Sequence, residues 1–124
     1  MNAFEQKLRY IINNRKAFKA CKPVYAGNLC VIRLDNGNSL QLEIVQTTPN
    51  HGIYGGLRVT ARDASGVQLG VRTICFCDYC EAPYVYLKLD DRTRKLDWFN
   101  EPEDDEIEAI LKEAHLFATC FGLA

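Results

Sequence analysis

No apolar run in the 124 residues approaches the roughly 20 needed to cross a bilayer. The opening stretch MNAFEQKLRY carries charges where a secretory leader requires a hydrophobic segment. The expectation is therefore a soluble, cytoplasmic chain without a membrane partner. Neither Gly-x-x-x-x-Gly-Lys nor Gly-x-Gly-x-x-Gly occurs, so neither of the two familiar phosphate-cradling loops is present, and Gly55-Gly56 reads instead as a strand bulge or a flexible lead-in. There are two histidines, His51 and His115, and neither has a sequence-adjacent partner of the kind a general base or paired metal motif would show. Internal repeats, low-complexity tracts and linkers are also missing, which leaves one domain over residues 1–124 as the expected organisation.

What is present is an ordinary supply of core residues, 48% hydrophobic, and six cysteines. In a reducing compartment these cysteines point to core packing, metal binding or thiol chemistry before disulfides. The formal net charge of -1 conceals a polarity. Residues 1–95 hold 14 Lys and Arg against 8 Asp and Glu, whereas residues 96–124 hold 1 against 8. Such a division can orient a partner or a second copy, so a homo-oligomer belongs among the expectations. A sequence pI near 6.1 argues against an extended nucleic-acid duplex as partner.

Apolar residues Phe4, Leu8, Ile11, Ile12 and Phe18 recur near helical spacing, predicting an amphipathic helix over 3–20 with Lys7, Arg9, Lys16 and Lys19 largely off its apolar stripe. Asn2 and Glu5 suit a capping box, and Lys22-Pro23 marks the stop. From Val24 to Phe99 the period becomes two. The clearest strands are 29–34, 40–47, 57–63, 67–74 and 83–89, with a short one at 95–99. Asn36-Gly37 predicts a tight hairpin with both residues at positive φ, Ser65-Gly66 and Asp90-Asp91 weaker turns, and 48–52 a longer loop. Ile107, Ile110, Leu111, Ala114, Ala118 and Phe121 then return to helical spacing. Acidic residues 103–106 suit the first turn of this helix, after a capping box from Asn100 and Glu103, and Gly122 suits its end. Trp98 and Phe99 would anchor it. The expected fold is α+β: a central antiparallel sheet of five to six strands, with an N-terminal and a C-terminal helix packed on one face.

Two constellations carry chemistry. Cys75, Cys77 and Cys80 lie within six residues, and three soft thiolates could hold a structural zinc. A fourth ligand has no matched motif, so cysteine as a small buried hydrophobe competes with the metal. The other constellation is the 57–74 hairpin, where Leu57, Val59 and Ala61 alternate with Arg58, Thr60 and Arg62, and Val67, Leu69 and Val71 alternate with Gln68, Gly70 and Arg72. A three-residue loop with Gly66 in the left-handed region would set Arg62 opposite Gln68 and Arg58 opposite Arg72. Like charges so placed call for an anion or solvent between them. Tyr84, Tyr86 and Lys88 would extend the same face, giving arginine forks beside flat rings.

These residues point to a non-enzymatic binding protein acting stoichiometrically on an anionic partner, either a nucleotide-like small ligand or an acidic protein surface. No catalytic residue and no cofactor follow from the pattern. Small inhibitors from phages and mobile elements share this size and lack of motif. The alternatives are a zinc-stapled structural or adaptor module and a small cysteine-dependent enzyme using Cys77 or Cys80.

Overall fold

Residues 3–47, 54–75, 84–86 and 104–124 are described by the structure, a computed structural model. The first helical stretch is divided into α1 (Ala3–Asn13) and α2 (Lys16–Ala20). The single helix expected over 3–20 breaks because Asn14 turns its side chain onto the backbone. Its Nδ2 donates to the Tyr10 carbonyl at 2.6 Å, an acceptor that a continuing helix would need for a main-chain N–H. Arg15 is then extended, with φ -114° and ψ 113°. The break lets Leu8, Ile11 and Ile12 from α1 and Phe18 from α2 all reach complete burial.

The strands are β1 (Val24–Ala26), β2 (Leu29–Arg33), β3 (Ser39–Thr47), β4 (Tyr54–Arg62), β5 (Gln68–Cys75) and β6 (Tyr84–Tyr86). They form one sheet in chain order. β1 to β5 pair antiparallel, as the alternation implies, whereas β6 joins β5 in parallel. β1 is an edge strand that the alternation did not single out. Gly55 and Gly56 pair regularly with Gln46 and Val45, so the expected bulge is not there. It lies on β5 instead, where Gln68 pairs with Arg62 and Gly70 with Ala61, leaving Leu69 without a partner across the ladder.

The β2–β3 turn also departs from expectation. Leu34 N donates to Asn38 O at 2.8 Å, closing a three-residue loop in which Gly37 (φ 92°) has positive φ and Asn36 does not. Asn36 is occupied otherwise: its Oδ1 accepts from Asn38 N, and its Nδ2 donates to the Phe121 carbonyl at 2.9 Å. Asn38 Nδ2 donates to the same oxygen, also at 2.9 Å. That carbonyl lies just beyond the last helix, α3 (Asp104–Thr119).

The end of α3 has the paired hydrogen bonds of a Schellman cap, Leu123 N to Ala118 O at 3.2 Å and Gly122 N to Thr119 O at 3.5 Å. Gly122 sits at φ 119°, as its place in the sequence suggests, and Leu123 returns to the core. A Cβ on Gly122 would collide with the Asn36 amide, so both the backbone angle and the close approach demand glycine. At the other end, Asp104, Asp105 and Glu106 occupy the first turn, where the helix dipole favours them.

All three helices lie on one face of the sheet. α1 packs over β1, β2 and β3, and α3 over β4 and β5. Between them Ile32, Leu40, Leu42, Leu57, Val59 and Ile74 are fully buried, joined by Ile107, Ile110, Leu111 and Ala114 from α3. Side-chain hydrogen bonds cross-link the helices. Tyr10 Oη donates to Asp104 Oδ1 at 3.3 Å, and Arg15 Nε donates to His115 Nδ1 at 3.1 Å beside the Phe18 ring. No helix among the described residues is long and apolar enough to cross a membrane. Asn2, Asp90-Asp91, Asn100, Glu103, Trp98, Phe99, the loop at 48–52 and the strand at 95–99 lie outside the described residues.

Two outcomes follow from these contacts. Gly122→Ala is expected to lower stability by about 2 kcal/mol, combining left-handed strain with loss of the Asn36 bond. Urea denaturation measures it, and a change within error of zero would contradict the described closure. His115 must keep Nδ1 unprotonated to accept from Arg15, and burial first, then the Arg15 charge, hold its pKa below the ordinary value of 6.5. The unfolded chain therefore takes up this proton at higher pH than the folded one. The His115 contribution is present in full above about pH 6.5 and declines as pH falls toward the folded value. Denaturation at neutral and mildly acidic pH should show a steeper acid loss for the native chain than for His115→Gln.

Candidate functional site

β-pleating assigns alternate residues of β2, β3 and β4 to opposite faces, so whatever does not enter the core shares the other one. Pairing arranges that outer face in rows. One row runs Arg33, Ser39, Arg62, Gln68; the next runs Val31, Gln41, Thr60, Val71; a third runs Leu29, Glu43, Arg58, Thr73. Among the described residues no helix covers these rows. They enclose a shallow depression of about 360 Å³ lined by Gln41, Glu43, Arg58, Thr60, Arg62 and Thr73, among others.

Each arginine of β4 is anchored by its neighbours. Arg58 Nε donates to Thr73 Oγ1 at 3.2 Å, and its Nη1 lies 4.0 Å from Glu43 Oε1, a long ion pair between part-exposed groups. Such a pair contributes less than about 1 kcal/mol. Arg62 Nε donates to Gln41 Oε1 at 3.0 Å and its Nη1 to the Gly66 carbonyl at 3.1 Å. That carbonyl is held in turn by the β4–β5 loop. Asp63 Oδ1 accepts from Ser65 Oγ at 2.7 Å, Ser65 N at 2.9 Å and Val67 N at 3.0 Å. The Ser65 hydroxyl, followed by the Val67 amide, holds the Asp63 carboxyl below its usual range. The loop is the three-residue form expected, with Gly66 at φ 91° and Asp63 N donating to Val67 O.

Arg72 departs from the expected face. Arg58 faces Thr73, not Arg72, because the unpaired Leu69 shifts the register beyond it. Arg72 pairs with Val59 on the helix side, its guanidinium 4.9 Å from the centre of the Phe117 ring. Gly70 shares that side, and a Cβ there would stand 2.8 Å from Phe121. The expected apolar row is inverted accordingly: Val71 faces outward, and Val67 and Leu69 are exposed at 59% and 44%.

Tyr84 falls in register with Thr73 and Tyr86 with Cys75, two rungs apart on either side of the Val85–Ile74 pair. Lys88, Cys77, Cys80 and His51 lie outside the described residues. Cys75 is the last residue of β5, opposite Gly56. No group of three potential metal ligands occurs among the described residues. Burial pushes the Cys30 thiol up to about 12 and also raises that of Cys21, with Asp35 adding to the latter. Neither is an activated nucleophile. Sequence reading missed Arg33, Gln41 and Thr73. The alternation of β2, with Cys30, Ile32 and Leu34 inward, was the signal that would have found Arg33.

No family model, no curated protein and no solved structure matches the chain. The site therefore has to be read from its own chemistry.

The face assignment makes a direct prediction. Arg72→Ala removes a stack against α3 and is expected to lower stability by about 1–2 kcal/mol, whereas Arg58→Ala or Arg62→Ala should each change it by less than about 1 kcal/mol. Denaturant midpoints of the three variants check the order, and its reversal would contradict the register.

Proposed function

We propose that the chain is a non-enzymatic binding protein that acts stoichiometrically, the sheet face that no described helix covers receiving an acidic surface of a partner protein. The observation that carries this reading is the anchoring of Arg58 and Arg62 on one face of the sheet. Side-chain bonds to Thr73 and Gln41, and the bond to Gly66 O, fix the two forks before any partner arrives. Preorganised arginines lose less conformational entropy on binding carboxylates, and arginine is favoured at interface hot spots. With Arg33, the described rows hold three cations against the single carboxylate of Glu43.

The lining of the depression supports the protein partner over the small ligand. Small ligands are taken by concave sites that bury most of their surface. Their pockets are predominantly apolar. Here the described lining is polar apart from Val71, and such a lining suits a polar protein surface better than a nucleotide. Gln41, Thr60 and Gln68 supply neutral hydrogen-bonding groups between the cations, as a polar interface needs.

Poly-L-glutamate and ATP serve as probes of the two chemistries. Fluorescence anisotropy should show the polymer binding the native chain at low salt, weakening as salt rises, and losing on the order of ten-fold in affinity for the double variant Arg58→Ala/Arg62→Ala. Equal binding by the double variant would sink the assignment of the face. One-site binding of ATP tighter than the polymer would replace the protein partner with a nucleotide-like ligand.

A further inference from the structure

The helix layer, on the other side of the sheet from Arg58 and Arg62, divides into two halves of opposite charge. Residues 3–20 hold five Lys and Arg against Glu5, and α3 holds five Asp and Glu against Lys112. Lys16 and Lys19 are exposed, as are Asp104, Asp105 and Glu108. Among the described residues neither lysine makes an ion pair within 4.0 Å. Tyr10 on α1 and Leu116 on α3, exposed at 51% and 52%, add apolar surface to the same layer.

Contacts between the helices fix how these side chains are spaced. Tyr10 stands level with Asp104, to which it donates. Asn14 and Arg15 line a cleft with Asp104, Glu108 and Leu111, and the Phe18 ring lies 6.0 Å from that of His115. Hence α2 runs beside α3 in the same direction, with Lys16 near the level of Leu111 and Lys19 near that of His115. Twelve residues separate Asp104 from Leu116, about 18 Å of helix, and Ile110 is midway.

A two-fold axis normal to the layer, passing between α2 and α3 at the level of Ile110, exchanges the level of 104 with that of 116 and the level of 105 with that of 115. Three pairings then coincide. Tyr10 of one copy falls on Leu116 of the other, Lys19 on the turn of Asp104 and Asp105, and Lys16 beside Glu108. A two-fold interface repeats every contact, so each pairing occurs twice. The basic half of the layer thereby covers the acidic half of a second copy, and the reverse.

We infer that this layer binds a second copy of the chain, forming a dimer in which α1 and α2 of each copy lie on α3 of the other. Two helices side by side over the length of α3 present about 24 Å by 20 Å, so the dimer buries on the order of 1,000 Å², the low end for specific interfaces. Association is accordingly weak and sensitive to salt. Docking of α3 on the sheet face of another copy would instead join opposite sides of the molecule, and such a contact continues into rings or filaments. The helix dimer leaves Arg58 and Arg62 accessible, so it stands or falls separately from the sheet-face reading.

Light scattering of the full chain on dilution should show a monomer–dimer equilibrium with Kd on the order of 10–100 μM, weakened at least about ten-fold between about 50 mM and 500 mM salt. Backbone amide shifts over the same dilution should centre on Tyr10, Lys16, Lys19, Glu108 and Leu116. Lys16→Glu/Lys19→Glu and Asp104→Lys/Glu108→Lys each give both halves one sign of charge. Alone, each double variant should stay monomeric where the native chain dimerises, and their equimolar mixture should restore a dimer within about ten-fold of native affinity. A native chain that remains monomeric at about 1 mM overturns the proposal. So do growth beyond the dimer, dilution shifts confined to the sheet face, and folded variants that fail to associate when mixed. The dilution series uses the native chain and decides the matter even where a variant does not fold.

Discussion

One unpaired residue, Leu69, sets the geometry of half the sheet. Because side chains alternate along a strand, the extra residue opposite Arg62 decides the face of everything that follows it in β5. Gly70, Arg72 and Ile74 turn to the helices, while Val71 and Thr73 turn outward. Without the slip, Leu69 and Val71 would enter the core where Phe117 and Phe121 now pack, and Arg72 would stand beside Arg58. The bulge thus settles two matters at once. It opens room for the end of α3 against Gly70, and it separates two cations that would otherwise repel across the ladder.

The same one-sidedness governs the helices. A six-stranded sheet has two faces to protect, and the described helices protect one. The break at Asn14 lets a short stretch present both α1 and Phe18 to that face, and Arg15, freed from the helix, reaches His115 on α3. The β2–β3 turn holds the far end of α3 through two amides on one carbonyl, so the sheet and its cover are joined by directional bonds as well as by apolar packing. The close approach of the Asn36 amide and the positive φ of the cap together require glycine at 122.

Much of this was legible in the residues, and the failures have physical causes. Helices and strands followed from periodicity, and the α+β class from their order, because one buried face imposes alternation on every strand that borders it. Gly66 and Gly122 were legible because positive φ selects glycine. The bulge was not read, although a conflict of parity announced it: Val67, Leu69 and Val71 claim one face, Ile74 the other, and Gly70 lies between them. The Asn36-Gly37 turn was misjudged because Asn36 is engaged across 85 residues by Phe121, a contact that local turn preference cannot contain. Of the proposed face, Arg58 and Arg62 were legible from β4 alone. Arg72 was lost with the register, and Arg33 was overlooked because its strand was read for its core positions.

The placement of charge follows from this division of labour between the faces. Core residues of β2, β3 and β4 are wholly buried, so substitutions there act through packing. Arg58 and Arg62 lie on the reverse of the same strands and take their bonds from side chains of that face and from a loop carbonyl. Their replacement leaves the apolar layer untouched. Arg72 lacks that freedom, because its stem and charge are part of the contact with Phe117. The three arginines of one hairpin therefore divide by a single residue of register: two stand on the outer face, and one carries the attachment of α3.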